Sequence, residues 1–340
     1  MRVVQSWGFA RIPDSVDPSP KAVVWALPPV PVWDHRNLGF QTGEFMSETV
    51  PGRTMLTIGD VCIALEGTAQ EIETGEKTAY DRFFGSGRPD IQLRLHRGVP
   101  PLSGGRRVFE CLPIWALFCH EGVRSIKVFP DELYPGSERL LVFSECLGEA
   151  DLFFPGPPWR RMDPLTGPTL ELLMVTYLGQ RRGVISHSCG ITINGRGILF
   201  VGESGAGKST LARLWGKEKD VEILSDDRTI VQKRSGCFWI YGTPWHGEAG
   251  FASPRGARLE GIFFLRHGRT CSIRQVRDID SVSRLLTCTF PPYWDPQAMT
   301  LTLGMLSDLT SAVSCQDLTF TPDRRVLHLV RETMTSAVGS

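Results

Sequence analysis

Residues 202–209 read Gly-Glu-Ser-Gly-Ala-Gly-Lys-Ser, and they constrain the fold more than any other segment of the chain. They match the phosphate-binding pattern G-x-x-x-x-G-K-[ST] at every fixed position. The apolar run Ile198–Val201 precedes them and the periodic segment Leu211–Trp215 follows, which predicts a strand, a glycine-rich turn and a helix. This order predicts an α/β nucleotide-binding fold.

The motif supplies the hydrogen-bond donors and the positive charge that bind phosphates. Its glycines let the backbone curl so that successive N–H groups face the phosphates, and the helix N-terminus adds partial positive charge. Lys208 would neutralise the outer phosphates and the Ser209 hydroxyl would bind magnesium, so we expect ATP and Mg²⁺. The predicted nucleotide-binding residues are Gly202, Glu203, Ser204, Gly205, Ala206, Gly207, Lys208, Ser209 and Thr210.

Two adjacent carboxylates, Asp226 and Asp227, follow the apolar run Val221–Leu224. We expect that run to pair beside Ile198–Val201 and to bring both side chains near the γ-phosphate. One carboxylate can bind the metal while the other accepts a proton from an attacking hydroxyl. We name Asp227, with Ser209, as a metal ligand, and the division of roles between the aspartates stays open.

Residues 241–248, Tyr-Gly-Thr-Pro-Trp-His-Gly-Glu, predict a loop that positions the phosphoryl acceptor. His246 and Glu248 point to the same side if this segment is extended. Arg255, preferred to Arg228, is the predicted arginine on the transferred group. A structural turn with a surface histidine is the alternative, and His267 is assigned to the surface or to packing.

The sequence predicts two domains. The first, residues 1–165, is a β-rich accessory or substrate-recognition domain, and the second, residues 166–340, is an α/β kinase domain that contains the phosphate-binding motif. Short apolar runs such as Met55–Leu65 indicate strands in the first half, and Pro155–Pro158 breaks the chain. A helix is predicted at Gly167–Gly179. Further along, hairpins are predicted across Asn194-Gly195 and Ser235-Gly236, followed by a strand at Ile262–Leu265 and three C-terminal helices.

Composition narrows the function classes. The 37 basic and 37 acidic side chains cancel, so a nucleic-acid partner is not expected. No apolar run would cross a membrane, and Met1–Trp7 lacks the character of a signal peptide, so we expect a cytoplasmic protein. The nine cysteines form no Cys-x-x-Cys pair, which favours reduced thiols over a zinc site. Homo-oligomerisation is left open.

His187, the Asn194-Gly195 turn, the 202–209 motif and the Asp226-Asp227 pair together resemble the kinase domain of HPr kinase/phosphorylase. That fold is related to ATP-dependent phosphoenolpyruvate carboxykinase. The likeness spans roughly residues 181–268 and includes the HPr-kinase-like proteins of biosynthetic clusters, among them lasso-peptide kinases.

The resemblance implies magnesium-dependent phosphoryl transfer to a hydroxyl, usually that of a serine. It implies that Lys208 and Ser209 hold the nucleotide and metal, that Asp226 and Asp227 provide the metal contact and the base, and that His187 is the active-site histidine. Thr210 stands where the family usually has Glu. The N-terminal half and the C-terminal loop show no counterpart, so the bifunctional enzyme's substrate is not carried over.

The expected function is therefore a kinase acting on a hydroxyl of a peptide, a protein or a small molecule. One alternative is a nucleotide-binding switch or ATPase that acts through a partner protein. A true HPr(Ser) kinase/phosphorylase is another, and a phosphatase or lyase is a third. Only a kinase needs an acceptor pocket, so the loop at Tyr241–Glu248 distinguishes it from a switch.

Overall fold

The structure is a computed structural model that describes residues 52–67, 79–99, 105–130, 138–154 and 168–336. These described residues belong to one compact unit. The described residues contain two nine-stranded sheets, five α-helices and one short 3-10 helix. None of these helices is long and apolar enough to span a membrane. The predicted break at Pro155–Pro158, with the predicted boundary between residues 165 and 166, lies outside the described residues.

The first sheet takes its strands from residues 52–154. The strands are β1 (Gly52–Ile58), β2 (Val61–Gly67), β3 (Phe84–Gly85), β4 (Ile91–Arg97), β5 (Arg106–Cys111), β6 (Trp115–His120), β7 (Val123–Val128), β8 (Arg139–Ser144) and β9 (Glu149–Phe154). Their order is β3-β1-β2-β4-β9-β8-β7-β6-β5. Strand β4 pairs in parallel with both of its neighbours, β2 and β9, and all other pairs are antiparallel. A 3-10 helix at Ala79–Arg82 buries Tyr80 just before β3.

The second sheet takes its strands from residues 183–320. The strands are β10 (Gly183–Ile193), β11 (Arg196–Val201), β12 (Val221–Ser225), β13 (Arg228–Arg234), β14 (Cys237–Gly242), β15 (Gly256–His267), β16 (Ser272–Gln275), β17 (Thr289–Phe290) and β18 (Ser314–Phe320). Because β11 pairs in parallel with β15, the pairings β11-β10-β13-β14-β15 close into a ring of five strands.

One predicted pairing is wrong. The strand that leads to the aspartates, β12, pairs with β10 and not with Ile198–Val201. The long strand β10 lies between them: residues 188–193 pair with β11 along one edge, and residues 190–193 pair with β12 along the other. Asp226 therefore stands two strands away from the strand that enters the phosphate-binding motif.

Helices cover both faces of this second sheet. They are α1 (Pro168–Gly179), α2 (Lys208–Trp215), α3 (Asp278–Thr287), α4 (Pro296–Ala312) and α5 (Arg325–Ser336). Along β11, Ile198 and Phe200 pack with α2 and α5, while Leu199 and Val201 pack with α3 and α4. This alternation follows from the two-residue period of a strand buried on both faces.

The local predictions are confirmed. Asn194 and Gly195 both have positive φ, at 49° and 78°, the conformation of the tight turn preferred in two-residue hairpins. Ser235 and Gly236 repeat it at 48° and 78° between β13 and β14. The helix predicted at Gly167–Gly179 corresponds to α1.

Candidate active site

The 202–209 motif forms a loop between β11 and α2, as its spacing predicts. Gly205 and Gly207 have φ of 83° and 97°, in the left-handed region that favours glycine. A Cβ on Gly207 would also lie 2.8 Å from the ring of Phe320. The loop therefore leads its backbone directly into the N-terminus of α2, the position at which protein backbones bind phosphate.

Lys208 is buried against the loop that carries it. Its ammonium group donates hydrogen bonds to the carbonyl oxygens of Gly202, at 2.7 Å, and Glu203, at 3.0 Å. Burial lowers the pKa of Lys208, although Asp227 acts in the opposite direction. The lysine is thus buried against the loop, and its ammonium group is bound to the carbonyl oxygens of the first two loop residues.

Asp227 is the hub of a charged cluster beside the loop. Its Oδ1 lies 3.0 Å from His187 Nε2 on β10, and its Oδ2 accepts a short hydrogen bond from Arg228. Burial favours the neutral acid, but the His187 hydrogen bond and the charges of Arg228 and Lys208 outweigh it and lower the pKa. Asp227 is therefore held as a carboxylate.

Backbone pairing fixes the position of His187. Its N–H donates to the carbonyl of Cys288 at 2.7 Å, and it stands opposite Arg228 in the β10–β13 register. Burial lowers the pKa of His187, against the effect of the Asp227 hydrogen bond. A neutral imidazole that donates one N–H to Asp227 fits this environment.

Asp226 faces a different set of groups from its neighbour. Its side chain is buried, and its two oxygens accept hydrogen bonds from the backbone N–H groups of Gly247, Ala249 and Phe251 at 2.9 to 3.2 Å. A carboxylate that accepts three main-chain donors holds a loop in shape. The structure therefore places Asp226 as the anchor of the loop that the sequence assigns to acceptor positioning.

Arg228 and Glu171 extend the cluster inward. The Arg228 side chain is only 9 % exposed, lies over the ring of Phe290, and has a buried Nε without a hydrogen-bond partner in the described part of the chain. Glu171 Oε2, on α1, is 3.9 Å from that nitrogen. Burial raises the pKa of Glu171 to about 7, against the charge of Arg228.

Sequence reasoning gave Glu171 no role and ranked Arg228 behind Arg255. The available signal for Glu171 was its charge in an otherwise apolar helix, Pro168–Gly179. Arg255 is instead 75 % exposed and pairs with Glu222 at 3.2 Å. The structure thus brings Arg228, and not Arg255, into contact with Asp227.

His246 and Glu248 are both exposed on the loop. The His246 ring contacts the carbonyl of Gly247 at 3.0 Å. Neither side chain makes a hydrogen bond or ion pair with Lys208, Asp227 or His187 among the described residues.

His267, which the sequence assigned to the surface or to packing, contacts the phosphate-binding loop. Its Nε2 is 2.7 Å from the Gly205 carbonyl, and its ring stacks with Phe320. It therefore supports the loop from the side of β15.

The donor chemistry fits the predicted magnesium. The described residues contain no group of three His, Cys, Asp or Glu side chains that could hold a metal by themselves. A magnesium ion at a phosphate site needs only one or two protein oxygens, because water and phosphate oxygens complete its shell. The Ser209 hydroxyl and the Asp227 carboxylate are oxygen donors of this kind.

Comparison with known proteins adds no assignment. No protein-family model matches the chain, and no curated protein matches it significantly.

Proposed function

We propose that this chain is an ATP- and Mg²⁺-dependent kinase that transfers the γ-phosphoryl group to a hydroxyl of a peptide, protein or small molecule. One observation carries the proposal. A glycine-rich loop at a helix N-terminus, with its buried Lys208, lies in the same cluster of charges as the Asp227–His187 pair. A loop of this kind binds phosphates, and a carboxylate paired with histidine can take a proton.

In the proposed reaction the acceptor oxygen bonds to the γ-phosphorus while the bond to the β-phosphate oxygen breaks and ADP leaves. Asp227 takes the proton of the acceptor hydroxyl, and His187 keeps that carboxylate oriented. Lys208 and the loop N–H groups hold the phosphate oxygens, and Arg228 adds positive charge next to Asp227. Magnesium, held by Ser209 together with phosphate and water oxygens, would neutralise charge on the phosphates when bound.

The test is transfer from γ-labelled ATP, with magnesium, into a host-cell extract separated into protein, peptide and small-molecule fractions. We expect label in one fraction, and a loss of about a hundredfold or more in Lys208→Ala, which lacks the cation at the phosphates. Lys217→Ala, an exposed lysine just beyond α2, is the matched control and should transfer normally. Both variants should unfold near the wild-type temperature.

Transfer that persists unchanged in Lys208→Ala would contradict the proposal. Label released only as inorganic phosphate, in every fraction, would favour the switch or ATPase.

A further inference from the structure

A concave surface lies beside the loop between β14 and β15. It is a cleft of about 440 Å³ between the 3-10 helix of the first sheet, the C-terminal end of α2 and the start of β12. Its apolar lining comes from Val221, Ile223, Phe251 and Pro254. No residue of the Lys208–Asp227–His187 cluster lines it.

The cleft carries excess positive charge. Its charged lining residues are Arg82, Arg255 and Glu222, two cations and one anion. Glu222 is already satisfied, because one oxygen accepts from Ser253 Oγ at 2.7 Å and the other from Arg255 at 3.2 Å. Each guanidinium has five N–H donors, and each uses one in the described structure, Arg82 on the carbonyl of Ala252 at 2.9 Å.

Such a cleft has the chemistry of a carboxylate site. Two arginines with unused donors recognise a carboxylate through paired hydrogen bonds, and the apolar lining accepts the carbon chain that bears it. Lysine-like point charges would be less selective for this planar group.

The cleft is connected to the candidate active site through one strand and one loop. Glu222 precedes Asp226 and Asp227 by four and five residues, which corresponds to about 13 to 17 Å at the rise of a strand. Phe251 lines the cleft while its N–H donates to Asp226 at 3.2 Å. A ligand in the cleft would therefore contact the loop that Asp226 holds.

We propose that this cleft binds a carboxylate of the phosphoryl acceptor, an inference that rests on the proposed function. The acceptor then carries its acid about 13 to 17 Å from the hydroxyl that receives phosphate. An extended peptide covers that span in four or five residues, so an acidic side chain at that distance from a serine is the favoured source. A long hydroxy acid presents the same chemistry.

The experiment measures binding without ATP, so it does not depend on phosphoryl transfer. Serine-centred peptides in which one glutamate is moved position by position, each with its glutamine counterpart, are tested against the full-length protein. ω-Hydroxylauric acid and its methyl ester test the small-acid source by saturation-transfer NMR. We expect the acid to bind at least about tenfold tighter than its neutral counterpart when it lies four or five residues from serine.

Variants identify the site. The preference for acid should disappear in Arg82→Gln combined with Arg255→Gln. It should persist in Arg258→Gln, a nearby exposed arginine outside the cleft, and in Lys208→Ala, which weakens anion binding at the phosphate loop. Equal binding of acid and neutral ligands, or a preference that survives loss of both cleft arginines, would overturn the proposal. If ligands bind in an acid-dependent way but no phosphoryl transfer is found, the proposed carboxylate site stands and the proposed kinase function is contradicted.

Discussion

At the scale of single residues, the adjacent aspartates differ in what they touch. Asp227 contacts His187 and Arg228, whereas Asp226 is saturated by three backbone N–H groups. Adjacent residues at the end of a strand point to opposite sides, so two identical side chains acquire different environments. The proposed proton transfer and the anchoring of the loop therefore belong to different residues of one dipeptide.

This separation predicts different outcomes for two matched substitutions. Asp227→Asn removes the proposed proton acceptor and should lower the rate of phosphoryl transfer by about a hundredfold to ten-thousandfold with little change in unfolding temperature. Asp226→Asn should instead lower the free energy of unfolding by about 1 to 3 kcal/mol, because an amide cannot accept from three donors as a carboxylate does. Transfer kinetics and chemical denaturation measure the two effects. A reversed pattern would contradict the assignment.

The buried carboxyl of Glu171 predicts a pH dependence of stability. Its pKa is about 7 in the folded protein and near the ordinary 4.5 in the unfolded chain. Between these values the folded state keeps the proton and the unfolded state releases it, so the free energy of unfolding falls as pH rises from about 4.5 to about 7.

Urea denaturation across that range should show a smaller loss of stability with rising pH in Glu171→Gln than in wild type. His187, whose pKa is lowered, contributes a slope of the opposite sign in both proteins, so the difference between them isolates Glu171. Parallel curves would show that Glu171 is not protonated in the folded state.

At the scale of elements, the loop of residues 243–255, between β14 and β15, is held from two sides. Asp226 binds it on one side, and the 3-10 helix Ala79–Arg82 binds it on the other. Tyr80 accepts a hydrogen bond from the Trp245 indole at 2.8 Å, and Arg82 donates to Ala252 at 2.9 Å. The loop is therefore shaped before any ligand arrives, which lowers the entropic cost of positioning an acceptor.

Gly247 is the tight point of this loop. A Cβ there would lie 2.8 Å from Asp226 Oδ2 and 3.1 Å from Asp227 Cβ, so Gly247→Ala must displace the loop. We expect faster amide exchange at Ala249 and Phe251, and phosphoryl transfer reduced by between about tenfold and a hundredfold. Hydrogen-exchange mass spectrometry and transfer kinetics give the two readouts.

Gly304→Ala provides the control for that substitution. Apart from its chain neighbours and the backbone of its own helix, no described atom lies within 4 Å of a Cβ at Gly304, in the middle of α4. Alanine there should be neutral or stabilising by up to about 1 kcal/mol. Normal amide exchange in Gly247→Ala would contradict the proposed clamp on the loop.

Elements that are set by residues close together in the sequence could be predicted. Contacts between segments far apart in the sequence could not. The phosphate loop and both hairpins follow from glycine, asparagine and lysine at fixed spacings. The partner of β12 depends on which edge of β10 is free, and no local pattern encodes it. Glu171 was missed for the same reason, since only the tertiary fold brings α1 to Arg228.

At the scale of the whole molecule, polar contacts join the two sheets. Arg124 on β7 donates to Asp295, the N-cap of α4, at 3.0 Å, with the two side chains 18 % and 10 % exposed. Arg234 on β13 reaches Asp60 between β1 and β2 at 2.9 Å, at the surface. The first sheet thus contacts the second half of the chain at several separate points.

The buried pair should dominate the energetics of this contact. Arg124→Met leaves Asp295 buried without its cation and should lower the free energy of unfolding by about 3 kcal/mol. Arg107→Met, which breaks the exposed pair with Glu110, should cost less than about 1 kcal/mol. Chemical denaturation compares them, and equal losses would show that the Arg124–Asp295 pair contributes little.

The turn at Asn194-Gly195 joins β10 to β11, and it also sets the distance between His187 and the phosphate-binding loop. It fixes Ser188 opposite Val201, so the backbone ladder between β10 and β11 determines how far His187 stands from the phosphate loop. A single inserted or deleted residue in that turn would shift β11 by one position, so that β11 would turn its opposite face toward His187, which its pairing with β13 holds in place. Natural variation in loop length should therefore be absent at this turn, although it lies far along the strand from the proposed active site, while exposed connections elsewhere tolerate it.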